Sequence, residues 1–214
     1  MAYIIDPDEV DRIVQRGIGL PLEQNLRALV DGLVAHYGDH IYLNDRWCFS
    51  NAGGIMGKQL ILHASTREYL VLWASPHGTE GHSGRHRADL WDWVLHGELS
   101  TYFEQDLEAT WYRPGECARL KRGEANSSKV PDGGCWLIEY GRGQIPTQLP
   151  FALLDAFTST MDTRGIAETF KVYTACVLRE AAMARGLAAW PPQGRYPIAS
   201  QPERGPVYRP RASA

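Results

Sequence analysis

One stretch constrains this chain more than any other: Gly134-Cys-Trp-Leu-Ile-Glu-Tyr-Gly-Arg-Gly143. Glycines close both ends, as they do where a strand enters tight turns. The side chains between them alternate as in a β-strand, with Trp136, Ile138 and Tyr140 on one side and Leu137 and Glu139 on the other. Glu139 is therefore a carboxylate in mid-strand among apolar and aromatic neighbours. Ionisation there is costly unless a cation or a hydrogen-bond donor meets it. Two readings fit these residues. Either Glu139 faces water from an edge strand, or it is held in an apolar pocket for acid/base work or for gripping a cation.

Upstream, Asp6-Pro7-Asp8-Glu9 reads as a helix start, with a capping Asp, Pro at the first helical position and acids near the positive end of the dipole. This helix runs to about Arg16, where Gly17-Ile-Gly19 breaks it. Pro21 opens a second helix, whose Leu26, Leu29, Val30, Leu33, Val34 and Tyr37 share one face and which Gly38 ends. From Ile41 the period drops to two. Ile41–Leu43, Trp47–Phe49, Gln59–His63, Tyr69–Trp73, Ala109–Tyr112 and Cys117–Leu120 are short β-type runs between turn formers such as Asn44-Asp45 and Gly53-Gly54. Short strands at this spacing predict an antiparallel barrel or sandwich. Asp89–His96 fits a short helix or a strand, and Glu124–Gly134 reads as a polar loop.

From Pro150 to about Gly186 the helical period returns, first with Phe151, Leu154, Phe157 and Thr158 on one face. After a break near Asp162-Thr163, Ile166, Phe170, Tyr173, Val177 and Ala181 make the next face. The charged residues along this second helix suit an amphipathic hairpin. From Trp190-Pro191-Pro192 the chain is rich in Pro, Arg and Gly. The whole predicts one α+β domain over residues 1–187 and a loosely structured tail over 188–214.

Bulk properties exclude several classes. The 214 residues carry a net charge of only −3, without a basic stripe, which argues against nucleic acid as a partner. Cys48, Cys117, Cys135 and Cys176 lie far apart and read as buried thiols rather than a disulfide frame or zinc site. No uncharged apolar run is long enough to cross a bilayer, and the opening residues are too short for a signal peptide. The expectation is a cytoplasmic protein that purifies without detergent.

The Glu139 stretch has companions. Asn51-Ala-Gly-Gly-Ile-Met-Gly57, Leu62-His-Ala-Ser65, Glu68-Tyr69, Gly81-His-Ser-Gly84, Pro114-Gly-Glu116, Gly141-Arg-Gly143, Ile145-Pro146 and Pro150-Phe151 stand in an order that resembles one family. That family comprises the fungal sterol delta-eight to delta-seven isomerases and the non-opioid sigma receptor of type one. The likeness runs from about Asp6 to about Gly186. It implies a cupin-like antiparallel β-barrel with N-terminal helices and a C-terminal helical hairpin covering the barrel mouth. It also implies a homo-trimer and, in the receptor, helices lying against a membrane, so peripheral membrane contact through the C-terminal helices is a further expectation. The eukaryotic look-alikes begin with a membrane-spanning helix that has no counterpart in the opening residues here.

The resemblance further implies that Asp92 and Glu139 are paired acids in an apolar ligand site. Two carboxyl groups brought together there cannot both ionise cheaply, which leaves an acid beside a base. Moving a double bond needs such a pair, one group to protonate an olefin carbon and one to take a proton from the neighbouring carbon. A nearby carboxylate also stabilises the intervening cation, and an ammonium imitates that cation. Tyr69 matches a tyrosine that hydrogen-bonds the glutamate. His82 and Asp89 lie in an isomerase-like loop, where they either shuttle protons or hold the loop by hydrogen bonds. Ile55, Val71, Trp73, Leu90, Trp136, Ile145, Leu149, Ala152 and Tyr173 match pocket-lining positions, while Ile55 and Gln148 differ from the receptor's residues.

His63, His77, His82, His86 and His96 include no His-x-His pair, so no metal is expected. The reading is an isomerase without a cofactor, acting on a large apolar sterol, terpenoid or polycyclic natural product. A cyclase using the same pocket and a non-catalytic binder of amphiphilic amines are its alternatives.

Overall fold

A computed structural model of the chain describes residues 3–198. Two helices lead, α1 (Pro7–Gln15) and α2 (Leu22–Tyr37). Asp6 caps α1 by accepting from the Asp8 N–H. Gly38, with φ of +56°, ends α2 in a backbone conformation that only glycine adopts freely. Ten strands follow: β1 (Cys48–Ala52), β2 (Ile55–Ala64), β3 (Glu68–Ser75), β4 (Thr79–His82), β5 (Ala88–Gly97), β6 (Leu99–Tyr102), β7 (Thr110–Tyr112), β8 (Cys117–Leu120), β9 (Ser127–Val130) and β10 (Cys135–Gly143). The helices α3 (Leu149–Thr158) and α4 (Thr163–Met183) close the order. Asp162 caps α4 by accepting from the Gly165 N–H, which accounts for the break between the two.

All strand pairs are antiparallel. They form a six-stranded sheet, β1-β2-β3-β10-β5-β8, and a four-stranded sheet, β4-β9-β6-β7. The α+β, cupin-like architecture holds, with the ladders in two sheets rather than in one closed barrel. The sheets meet where the His82 N–H donates to the Gly53 carbonyl at 2.8 Å. Asp89–His96 proves to be strand, within β5, and the expected polar loop Glu124–Gly134 contains β9, which pairs with β4 and β6.

Both faces of the six-stranded sheet are covered. On one, Leu60, Leu62, Leu70, Leu72, Trp91, Trp93, Ile138 and Tyr140 pack against Val10, Ile13, Leu26, Leu29 and Leu33 of α1 and α2. The other face meets the smaller sheet and the helices α3 and α4. Because β10 lies between β3 and β5, Glu139 is not on an edge strand, and the water-facing reading of it fails.

Two expectations about the C-terminal part change. The buried residues of α4 are Val172, Cys176 and Arg179, a face rotated from the one drawn through Phe170 and Val177. Arg179 is held inside because its guanidinium donates to the Asp39 and Pro191 carbonyls and lies over the Tyr42 ring. The segment after 188 is also tied to the body rather than loose. Gln193 accepts from the Leu43 N–H and donates to the Ile41 carbonyl, Tyr196 donates to Asp31, and Ile198 joins the core. The rest of the expected tail, 199–214, lies outside the described residues.

Candidate active site

Glu139 and Asp92 are direct cross-strand partners on β10 and β5. Side chains at such a pair share one face of the sheet with their β-carbons about 5 Å apart. Both line a cavity of about 240 Å³ between the six-stranded sheet, the smaller sheet and the C-terminal helices. On the other side of β10, the Tyr69 hydroxyl donates to Glu139 Oε1 at 2.5 Å. The Tyr69 ring reaches back across the strand to do so, and its path runs over Gly141. A β-carbon there would lie 2.4 Å from Tyr69 Cε1. Gly57 makes similar room for the indole of Trp73, which would otherwise meet a β-carbon at 2.4 Å.

The Asp92 carboxyl is pushed well above the usual carboxylate range, first by burial, then by the Glu139 charge and the hydrogen bond the two share. Its Oδ1 is buried without a protein partner. Burial and Glu139 likewise push the Tyr69 phenol well up, so it stays a neutral donor. Near Asp92, the thiols of Cys117 and Cys135 are pushed up to about 12, chiefly by burial, so neither is a thiolate at neutral pH. The cavity thus brings together the two carboxyl groups and the phenol that hydrogen-bonds one of them, within a largely apolar lining.

Most residues singled out from the sequence meet at this cavity. Ile55, Val71, Trp73, Leu90, Ile145, Leu149, Ala152 and Tyr173 all line it. The Tyr173 hydroxyl is satisfied outside, donating to the Ser65 carbonyl at 3.1 Å. His82 reaches the wall, and its Nδ1 accepts from the Gly84 N–H at 2.9 Å, a bond that ties the loop.

Two residues do not belong to the lining. Trp136 lies on the helix-covered face, against Trp47 and under the ammonium of Lys58, as the strand alternation that puts Glu139 on the opposite side requires. Asp89 immediately precedes Leu90 and so takes the face opposite to it; its Oδ1 accepts from the Arg122 N–H at 3.1 Å. Gln148, singled out as differing from the receptor, also lines it, whereas Leu137, His86, Asn126 and Phe151 were missed as lining. Leu137 was already on the Glu139 side of its strand. His86 stacks edge-on against Phe151 and hydrogen-bonds the Ser83 carbonyl through Nε2, contacts that no local pattern announces.

The family model "ERG2 and Sigma1 receptor like protein" matches residues 1–185. The C-8 sterol isomerase erg2 of Aspergillus fumigatus is 39% identical over 175 residues, covering 79% of this chain and 72% of that protein. The sigma non-opioid intracellular receptor 1 of Taricha granulosa is 34% identical over 181 residues, covering 84% of this chain and 81% of the receptor. Among solved structures, the Schizosaccharomyces pombe Cnp3 cupin domain is similar with a TM-score of 0.38 and 13% identity, covering 43% of this chain and 64% of that one. The match over nearly all the described residues, with identities of this size to both kinds of relative, establishes that the chain belongs to the ERG2 and Sigma1 receptor like protein family.

Proposed function

We propose that the chain is an isomerase that shifts a double bond in a sterol or comparable polycyclic olefin by acid/base chemistry without a cofactor. The observation that carries this reading is the cross-strand pair itself: Asp92, whose carboxyl burial and its neighbour push well above the usual range, stands directly opposite Glu139 on one face of the sheet. The Asp92 proton goes to one olefin carbon, and positive charge develops on the other. The Glu139 carboxylate stabilises that charge and takes a proton from the adjacent carbon, so the double bond re-forms one position along. The proton now on Glu139 crosses the shared hydrogen bond to Asp92, and the pair is restored without any net change. Tyr69 keeps Glu139 in place throughout. A general acid or base of this kind contributes about 10²–10⁴-fold in rate.

The isomerase relatives support the reaction class. The receptor relatives support a second reading, a binder of amphiphilic amines, since the carboxylate that stabilises a cation also holds an ammonium. The test is incubation of purified protein with a sterol carrying its ring double bond at carbon 8, with analysis of the recovered sterol by mass spectrometry. The isomerase reading expects a shifted double bond with wild type and none with Glu139→Gln. Unchanged sterol in both, with a tertiary amine still bound by wild type alone, leaves the binder.

A further inference from the structure

The helix α4 closes one side of the cavity. Its Thr169 and Tyr173 belong to the lining, and its Val172 and Cys176 pack on Ile61, Ala64 and Val71 of the sheet. The C-terminal half of α4 is fastened by polar groups that the acid/base chemistry does not use. There Glu180 meets two imidazoles. His40, in the short 3-10 turn Gly38–His40, places Nδ1 at 3.0 Å from both carboxylate oxygens. His63, on β2, places Nδ1 at 3.4 Å from Glu180 Oε1. The two rings differ in access to water: the His40 side chain is 35% exposed and that of His63 is 0% exposed.

Geometry fixes the tautomer of His63. Its Nδ1 lies 2.9 Å from the His40 carbonyl, which only accepts, so the proton of the neutral ring sits on Nδ1. Nε2 is then a bare lone pair, buried without a partner among the described residues. A second proton would make a buried cation there, with an N–H that no described group accepts.

The groups around the ring do little to offset this. Glu180 is already shared with His40. Glu68, on β3, is engaged by the Ile4 and Ile5 N–H groups and by the Tyr140 hydroxyl. Arg179, next to Glu180 on α4, is a second cation, held by the Asp39 and Pro191 carbonyls. The Asp39 carboxylate is 3.4 Å from that guanidinium and mostly in water. The Cys176 thiol, pushed up to about 12 chiefly by burial, adds no charge. Burial therefore outweighs Glu180 and Glu68 and holds the His63 ring below its ordinary 6.5.

We propose that His63 is a proton-sensitive latch: α4 is docked over the cavity while this ring is neutral, and protonation of the buried ring undocks the helix. The docked state favours the ring without its second proton. The contribution to docking is thus complete above pH 6.5 and is lost progressively as the pH falls below it. His40 charges at the surface and keeps its bond to Glu180, so it is not the sensor. The inference is independent of which ligand the cavity takes.

Hydrogen exchange read by mass spectrometry at pH 7.5 and 5.5, corrected for the intrinsic pH dependence of exchange, reports the opening of α4. Peptides of α4 in wild type are expected to lose protection on acidification, by up to about tenfold for one proton over one pH unit. In His63→Asn the loss disappears, because the amide donates to the His40 carbonyl but takes up no proton. In His40→Asn the loss remains. Asp92 has the opposite pH trend, and comparing variants within one pH series removes it. No loss in wild type, an equal loss in His63→Asn, or a loss abolished by His40→Asn alone each overturns the latch. Nitrogen NMR of wild type labelled in histidine gives a reading that needs no variant to fold. His63 should keep a neutral ring, with its proton on Nδ1, for as long as α4 is protected. A doubly protonated His63 under a fully protected α4 overturns the latch as well.

Discussion

The same two strands carry two tyrosine–glutamate bonds on opposite faces, and only one of them is closed. On β3 the neighbours are Glu68 and Tyr69, and on β10 they are Glu139 and Tyr140. Tyr140 donates to Glu68 at 2.8 Å, and Tyr69 donates to Glu139 at 2.5 Å. Around Glu68 the remaining acceptors are filled by the Ile4 and Ile5 N–H groups, at 2.7 and 3.3 Å, which pins the N-terminal segment to the sheet. Around Glu139 the place of those donors is taken by a second acid and a cavity. A buried carboxylate with every acceptor matched stabilises a fold. Glu139 instead faces a second acid and a cavity, the setting the proposed function uses to hold positive charge. The difference lies in what surrounds each glutamate, not in the local sequence, which is Glu-Tyr in both places.

The contrast is broken most sharply by neutralising each glutamate in turn. Glu139→Gln is expected to lower isomerisation by at least about 10²-fold, and to weaken amine binding by roughly 2–5 kcal/mol, while the melting temperature stays near wild type. Glu68→Ala should do the reverse. It strands the Ile4 and Ile5 N–H groups, while the Tyr140 hydroxyl keeps the Ile5 carbonyl as acceptor; at about 1–3 kcal/mol for an unsatisfied group, chemical denaturation should show a loss of about 2 kcal/mol or more. If the two variants share one phenotype, the distinction between closed and open carboxylates is wrong.

A smaller effect sharpens the same contrast through pH. Asp92 keeps its proton in the folded chain after the unfolded chain has lost it, because the folded value lies above the ordinary 3.8. The unfolded state therefore gains progressively as pH rises above 3.8, and the penalty vanishes below it. Asp92→Asn carries no such penalty. It should melt higher than wild type at pH 8, by about 2–4 °C for each kcal/mol relieved, and the gap should close as pH falls towards 4. A gap that does not vary with pH would remove the protonated acid from the account.

Smallest is the loss of the phenol that holds Glu139. Tyr69→Phe should cost about tenfold in turnover, as one hydrogen bond to a charged group. Gly141→Ala should match or exceed it, because the new methyl occupies the path of the Tyr69 ring. If Gly141→Ala is silent while Tyr69→Phe is not, the close approach of ring to strand is not what positions the bond.

Much of this was legible before the fold was known. The cap at Asp6, the break near Asp162 and the glycine stop at Gly38 act through neighbours within a few residues, so local pattern finds them. Alternation alone also put Glu139 and Leu137 on one side and Trp136 on the other. Placing Trp136 in the pocket set the family likeness against that alternation, and the alternation prevailed. Asp89 likewise sits out of phase with Leu90 and Asp92, and its carboxylate accepts from the Arg122 N–H.

What stayed hidden depends on distant partners. Strand β9, Ser-Ser-Lys-Val, is too polar to announce itself and exists because β4 and β6 flank it. Arg179 turns inward on α4 because Asp39, Tyr42 and Pro191 wait for its guanidinium. Residues 190–198 look like loose tail by composition, yet Gln193 supplies hydrogen bonds to both Ile41 and Leu43, which no strand pairs. The orphaned Nε2 of His63 is likewise a property of the assembled core, invisible in Leu-His-Ala-Ser.

The most direct measurement of the central claim is the fate of solvent hydrogen. Wild-type protein incubated in heavy water with its olefinic sterol should return the shifted isomer with one deuterium at the newly protonated carbon, because the Asp92 proton exchanges with solvent. Asp92→Asn, folded and melting as above, should return the sterol unshifted and unlabelled. A shifted product without deuterium, label in a product with one ring more, or labelling that persists in Asp92→Asn would each contradict the assignment of Asp92 as the acid opposite Glu139.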